Sequence, residues 1–131
     1  MPISYVIDKQ QKLVRTMAGG VLTDADLIEH KRKLIDDPQF EPGMRELSDV
    51  RNVEELRVTP AGIWSMMMID ERDAPKLKSF KLAILVSKDS VFGMARMYQS
   101  LTEKNIPSIG IFRDDKEALT WLEVPFKSRE Q

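Results

Sequence analysis

The chain has 131 residues, with 20 Lys and Arg against 21 Asp and Glu, one His, eight Met and no Cys. This length predicts one domain with one core, and the formal net charge of −1 argues against a nucleic-acid surface, which needs a clustered basic excess. The lack of Cys excludes disulfides, thiolate nucleophiles and Cys-ligated zinc, and the single His excludes a His-rich metal cluster.

The chain is predicted to begin with a β-hairpin. Apolar residues alternate with others over 3–7, which is the period of a strand. A polar turn follows at 8–11, and a second strand covers 12–18. We expect Gly19 and Gly20 to end this second strand.

Helices and strands alternate in the rest of the chain. Thr23 is the expected N-cap of the first helix, and Pro38 marks its end. The later elements are a polar third strand at 44–50, a helix from Thr59 and Pro60 to about Asp73, a strand at 80–86, a helix capped by Asp89 or Ser90 and running to about Lys104, a strand at 108–112, and a short helix that Asp114 caps and Pro125 ends.

The order ββαβαβαβα predicts an α/β domain. Helical crossovers of this length imply a mostly parallel five-stranded sheet that carries four main helices. We expect one domain at 1–124 and a polar C-terminal tail at 125–131.

Sequence patterns for catalysis and cofactors are weak. The segment 18–21 lacks the glycine spacing of phosphate-binding loops, so no nucleotide cofactor is expected, and no metal site is expected either. His30 is the only imidazole, and we interpret it as a partly exposed structural residue. Without a nucleophile–base pair, the chain is predicted not to be an enzyme.

Lys31 lies at the centre of the apolar face of the first helix. One interpretation is that its stem packs on the core while the ammonium reaches the edge of the sheet, and we favour this one. The alternative is a cation that lines a ligand cavity.

The second helix is apolar on more than one side. A helix of this kind is either buried twice or covers a partner, and Met adapts to irregular contacts. We expect Met66 and Ile69, beside Ser65, to form a partner surface. The opposite face is expected to pack on the core and consists of Ile63, Trp64, Met67 and Met68.

Phe92 and Arg96 are four residues apart and are expected to face away from the core, as a local cation–π pair or as part of a binding surface. Ligands of open α/β sheets lie beyond the carboxyl ends of the strands, and helix N-termini attract anions. The candidate ligand site therefore combines Lys31, Phe92 and Arg96 with Thr59 and Ser90.

The sequence resembles the SpoIIAA-like (STAS/SEC14-like) family of small bacterial proteins. The similar stretches are Val21–Thr23, Asp37–Arg45, Phe92–Tyr98 and Phe112–Leu122. The resemblance implies a STAS-like fold and a non-enzymatic domain. STAS relatives act as interaction switches or ligand sensors, and SEC14-type relatives hold lipids or other apolar ligands.

Antagonist-type STAS domains carry a phosphorylated Ser at the start of the second helix. The matching stretch here is Thr59–Gly62, and the acceptor position falls on Ala61, which has no hydroxyl. The usual phospho-serine switch is therefore expected to be absent.

Two functions remain open from the sequence. The first is a non-catalytic STAS-like protein-interaction or scaffold domain, a homodimer or the partner of another protein, that uses the Met66 and Ile69 surface. The alternative is a SEC14-like carrier or sensor of a small apolar or anionic ligand. Residues 1–21 contain no apolar signal-peptide core, and the longest apolar run, 82–86, is too short to span a membrane. We therefore expect a cytoplasmic protein.

Overall fold

The computed structural model describes residues 2–124. One five-stranded sheet has the order β1-β2-β3-β4-β5, in which β1 is antiparallel to β2 and the other neighbours are parallel. The strands are β1 (Ile3–Asp8), β2 (Leu13–Thr23), β3 (Arg45–Arg57), β4 (Lys81–Leu85) and β5 (Ser108–Phe112), and the helices are α1 (Asp24–Ile35), α2 (Pro60–Arg72), α3 (Ala74–Leu77), α4 (Asp89–Leu101) and α5 (Asp115–Leu122). The predicted tail at 125–131 and Pro125 lie outside the described residues.

Helices cover both faces of the sheet. Side chains of α1, α2 and α4 join those of the strands in the larger core, which includes Leu34, Ile63 and Tyr98. On the other face, α5 contributes Leu119 and Leu122 to a smaller core. The helix α1 follows β2 directly, and α2 follows β3 after residues 58 and 59, so both helices begin at the carboxyl ends of these strands.

The helix caps mostly follow the sequence prediction. Thr23 caps α1 through a reciprocal capping box with Asp26, and Thr59 caps α2. Asp114 accepts a hydrogen bond at the start of α5. The prediction for α4 was wrong, because Lys88 occupies the N-cap position and Asp89 and Ser90 are already helical.

The predicted end of β2 at the glycine pair was also wrong. The strand continues to Thr23, and its pairing with β3 shifts register between Met17 and Gly19 and again between Gly20 and Val21. Gly20 has φ of +67°, the left-handed conformation that glycine adopts in β-bulges. The glycine therefore bends the strand without ending it.

The bound of the third strand also differs from prediction, whereas that of the second helix is confirmed. The third strand runs to Arg57, and beyond Asp49 it pairs only with β2, so its charged residues reach solvent. The helix α2 ends at Arg72, close to the predicted Asp73, and Pro75 lies in the first turn of the separate short helix α3, where a missing N–H costs no hydrogen bond.

Candidate ligand cavity

A small apolar cavity lies between the sheet and helices α1, α2 and α4. Its volume is about 110 Å³. Leu27, Leu56 and Met94 on its wall are only partly buried, so solvent reaches its mouth. The other lining residues are Leu22, His30, Lys31, Glu46, Ser48, Val50, Val58, Ile63, Met66, Leu82, Ile84, Val91, Ala95 and Tyr98.

Lys31 contributes to one of two ionic clusters at this cavity. Its Nζ lies 2.7 Å from Oδ1 of the fully buried Asp70 and 5.2 Å from the ring centroid of Tyr98. The favoured sequence interpretation, an ammonium that reaches the edge of the sheet, was therefore wrong. The ammonium turns towards α2, where the fully buried Asp70 supplies a charge partner.

Two hydroxyls complete the surroundings of Asp70. Its Oδ2 accepts hydrogen bonds from the Tyr98 hydroxyl at 2.5 Å and from the Thr102 hydroxyl at 2.7 Å. Burial of Tyr98, followed by the nearby charge of Asp70, raises the pKa of that phenol well above its ordinary value. The phenol thus stays protonated and serves as a donor to Asp70.

The second cluster connects α1 to β3. The Glu46 carboxylate accepts from the Thr16 hydroxyl at 2.6 Å, and His30 Nε2 lies 3.1 Å from the same oxygen. An ionised carboxylate only accepts hydrogen bonds, so His30 carries its proton on Nε2 and donates it. His30 is partly exposed, as the sequence predicted.

Two opposing effects set the pKa of Glu46. Burial has the largest single influence and raises it. The hydrogen bond and charge of His30, the Thr16 hydroxyl and the charge of Lys31 lower it, and together they prevail, so the pKa lies below its usual value. Glu46 is therefore a buried anion that its neighbours satisfy.

The predicted partner surface on α2 was wrong. Met66 and Ile69 are only 8% and 6% exposed and belong to the core, whereas Trp64 and Met68, expected inside, are 52% and 55% exposed. Ser65 is partly exposed, and its hydroxyl donates to the carbonyl of Ala61 within the same helix. The helix carries apolar side chains on all of its sides. Its sequence therefore contains no reliable signal for which side is buried.

Phe92 and Arg96 do not line the cavity with Lys31. Their cation–π geometry is present, with the Arg96 guanidinium carbon 6.0 Å from the Phe92 ring centroid. Arg113 lies closer to the same ring, at 5.0 Å. The pair belongs to the outer side of α4, so the predicted ligand site does not form as one unit.

Thr59 and Ser90 also lie outside the cavity. The backbone N–H and hydroxyl of Thr59 donate to Asp24 at 2.8 and 2.6 Å, and the hydroxyl accepts from the Gly62 N–H at 3.1 Å. The Asp24 carboxylate therefore occupies the N-terminus of α2, where an anionic ligand was expected. Ser90 is exposed on α4.

Sequence reasoning missed Asp70, Glu46 and Ser48 as residues of this site. A signal existed for Asp70, a carboxylate in an otherwise apolar helix, and for Glu46 in an unusually polar strand. No feature of the sequence indicated Ser48 as a site residue. Within residues 2–124, no group of three or more His, Asp and Glu is placed to hold a metal ion.

No family model matches the sequence, and no curated protein matches it significantly. The chain is similar in structure to an uncharacterized protein from the DUF3478 family, with a SpoIIAA-like fold, from Shewanella loihica PV-4. The TM-score is 0.57 at 21% identity, and the match covers 92% of this chain and 93% of the other. The chain has a SpoIIAA-like fold. This confirms the fold that the sequence resemblance implied. No helix in the described part of this SpoIIAA-like chain has the length and apolar character to cross a bilayer.

Proposed function

We propose that the protein binds one small, largely apolar molecule in the cavity beneath α1, α2 and α4, and that it does so without catalysis. The observation that carries the proposal is the cavity itself, whose wall is mostly Leu, Ile, Val and Met. Apolar cavities of about 150 Å³ stay dry and bind benzene. The volume of about 110 Å³ favours a ligand of that size over a lipid.

The charges on the wall favour a neutral ligand. Lys31 is engaged with Asp70, and His30 is engaged with Glu46. An anionic ligand would have to displace one of these carboxylates from its partner. Within residues 2–124, these ionisable groups pair with each other and none makes a hydrogen bond to the Ser48 hydroxyl, which supports binding without catalysis.

Ser48 supplies one hydrogen-bonding position. Its side chain lines the cavity, and no hydrogen bond from another residue in the 2–124 range occupies its hydroxyl. A ligand with one hydroxyl or carbonyl group could pair with it, so we infer an apolar body with a single neutral polar group. Phenol and benzene are matched probes of this inference.

The test is titration of the protein with benzene and with phenol, followed through the methyl NMR signals of Met66 and Met94. We expect both probes to shift these signals and to raise the melting temperature. Ala95→Leu fills the cavity and should abolish both effects, while Ala25→Leu, on the exposed side of α1, should change neither.

Ser48→Ala separates the polar contact from the cavity. It should weaken phenol binding about two- to tenfold, the value of one hydrogen bond, and leave benzene binding unchanged. If neither probe shifts the two methyl signals, or if Ala95→Leu binds as the wild type does, the proposed function is wrong.

A further inference from the structure

The strand β1 forms an edge of the sheet, and its outward backbone groups can be assigned. The Gly19 N–H donates to the Pro2 carbonyl at 3.0 Å, which makes Pro2 a hydrogen-bonded position of the antiparallel pair. Such positions alternate along a strand. The backbone N–H and C=O groups of Ile3, Tyr5 and Ile7 therefore point away from β2, towards the open edge.

The two edges of the sheet differ. At β5, the side-chain amide of Gln99 donates to the Ile109 carbonyl at 2.6 Å, so part of that edge is covered. In the described part of the chain, no hydrogen bond reaches the outward backbone groups of β1. The strand contains no Pro, Lys or bulge, the devices that usually protect an edge from pairing.

A groove of about 430 Å³ runs beside this edge, between β1 and α1. The rings of Tyr5 and His30 meet edge to face in its wall, with centroids 5.6 Å apart. The Tyr5 hydroxyl donates to Asp37 at 2.7 Å, which fixes the ring. The remaining lining residues are Pro2, Ile3, Ser4, Asp26, Glu29 and Lys33.

The charge of the groove is negative. Asp26, Glu29 and Asp37 face a single ammonium, that of Lys33. Asp26 is engaged in the cap of α1, and Asp37 bonds Tyr5. Glu29 is exposed and no residue within 2–124 pairs with it, so its carboxylate can receive an incoming cation.

We propose that an extended peptide segment with a Lys or Arg side chain adds to β1 as a sixth strand and places that basic side chain in the groove beside α1. In strand addition, main-chain hydrogen bonds provide affinity and pockets for alternate side chains provide specificity. The side chains of Ile3 and Tyr5, two residues apart on β1, line the groove. Every second side chain of an added strand would point to the same face of the sheet and enter the groove.

Charge distinguishes this partner from a second copy of the chain. Pairing of two β1 strands would bring two negatively charged grooves towards each other, and like charges at an interface are unfavourable. A basic peptide instead gains attraction from Glu29. The edge therefore fits a foreign strand better than its own duplicate.

The probes are two acetylated and amidated pentapeptides, Thr-Val-Lys-Val-Thr and Thr-Val-Glu-Val-Thr. The full chain is titrated with each and followed by backbone amide NMR. We expect the Lys peptide to shift the amides of Ile3, Tyr5 and Ile7 and to slow their hydrogen exchange. The Glu peptide should bind more weakly, and added salt should reduce the difference.

Two variants sharpen the test. Glu29→Lys reverses an exposed charge and should weaken the Lys peptide about three- to tenfold with no effect on folding. Ile7→Pro removes an outward N–H, a position where an edge strand tolerates Pro, and should abolish binding. Val6→Pro removes an N–H that faces β2, whereas Ile7→Pro also removes a partly buried side chain that packs on the core, so Ile7→Ala is the matched control for that lost packing and should still bind.

Four results would overturn the proposal. The peptides could bind equally or not at all, or the shifted amides could lie away from β1. A dimer by light scattering that Ile7→Pro converts to monomer would show that a second copy occupies the edge. If Ile7→Pro does not fold, Glu29→Lys and the wild-type amide shifts still decide the question.

Discussion

Separation of the buried Lys31–Asp70 pair should destabilise the protein strongly. Lys31→Met keeps the length of the side chain but removes the charge, and leaves a fully buried carboxylate with two hydroxyl donors and no counter-ion. Loss of one partner of a buried pair costs about 3–5 kcal/mol. Because domains of this kind have about 5–15 kcal/mol of stability in total, the loss is easy to measure.

Asp70→Asn should cost a similar amount, because it leaves the ammonium beside an amide. In the double variant no charge remains, and the Asn oxygen still accepts from Tyr98 and Thr102. When both partners of a buried ion pair are replaced together by uncharged residues, the protein loses little stability. The double variant should therefore be more stable than the sum of the single effects predicts, by at least about 3 kcal/mol.

The assay is urea unfolding of the four proteins, with circular dichroism as a check that each one folds. Lys104→Met is the matched control, because Lys104 and Glu71 are exposed and lie 3.9 Å apart. Its effect should stay within about 0.5 kcal/mol. Single losses below about 1 kcal/mol that simply add in the double variant would refute this reasoning.

Two further predictions concern glycine-to-alanine substitutions in the helices and the titration of the two tyrosines. Gly62→Ala should destabilise by about 1–3 kcal/mol, since a Cβ there would overlap the Asp24 carboxylate, whereas Gly93→Ala, with open space around it, should stabilise α4 by about 0.5–1 kcal/mol. Equal effects in thermal unfolding would contradict the packing at α2. The pKa of Tyr5 is raised from 10.0 to about 12, by burial and then by its hydrogen bond to Asp37, and that of Tyr98 is also raised. When the pKa of a phenol is higher in the folded than in the unfolded protein, its contribution to stability is complete at pH values below the pKa of the unfolded state. This contribution is lost as the pH rises through the pKa of the folded state. The near-ultraviolet absorbance of tyrosinate should therefore stay absent at pH 10 in the folded protein and appear there in urea; equal titration curves would refute this.

Local signals in the sequence predicted most of the fold. Thr23 and Thr59 mark helix starts because a side-chain oxygen satisfies N–H groups within the same turn, which needs no distant residue. The alternation in β1 and the apolar run of β4 likewise predicted strands. Gly20 misled the prediction, because a glycine that bends a strand has the same local signature as one that ends it.

The site was less predictable than the fold. Met66 and Trp64 are both large and apolar, and only the packing of α2 against α1 and α4 determines that Met66 is buried and Trp64 exposed. Lys31 lay on the apolar face as expected, but its partner Asp70 is on another helix. No spacing along the chain predicts such a pair.

The composition alone excluded disulfides and Cys-based zinc sites, and the order of elements determined an α/β fold, because these depend on residue types and short-range periodicity. The tertiary structure decided which cavity, ionic clusters and open strand edge the chain presents. The cavity, the two ionic clusters on its wall and the open edge of β1 each combine residues from separate elements. Their chemistry arises where the sheet and helices meet, and it therefore depends on distances that a linear sequence does not contain.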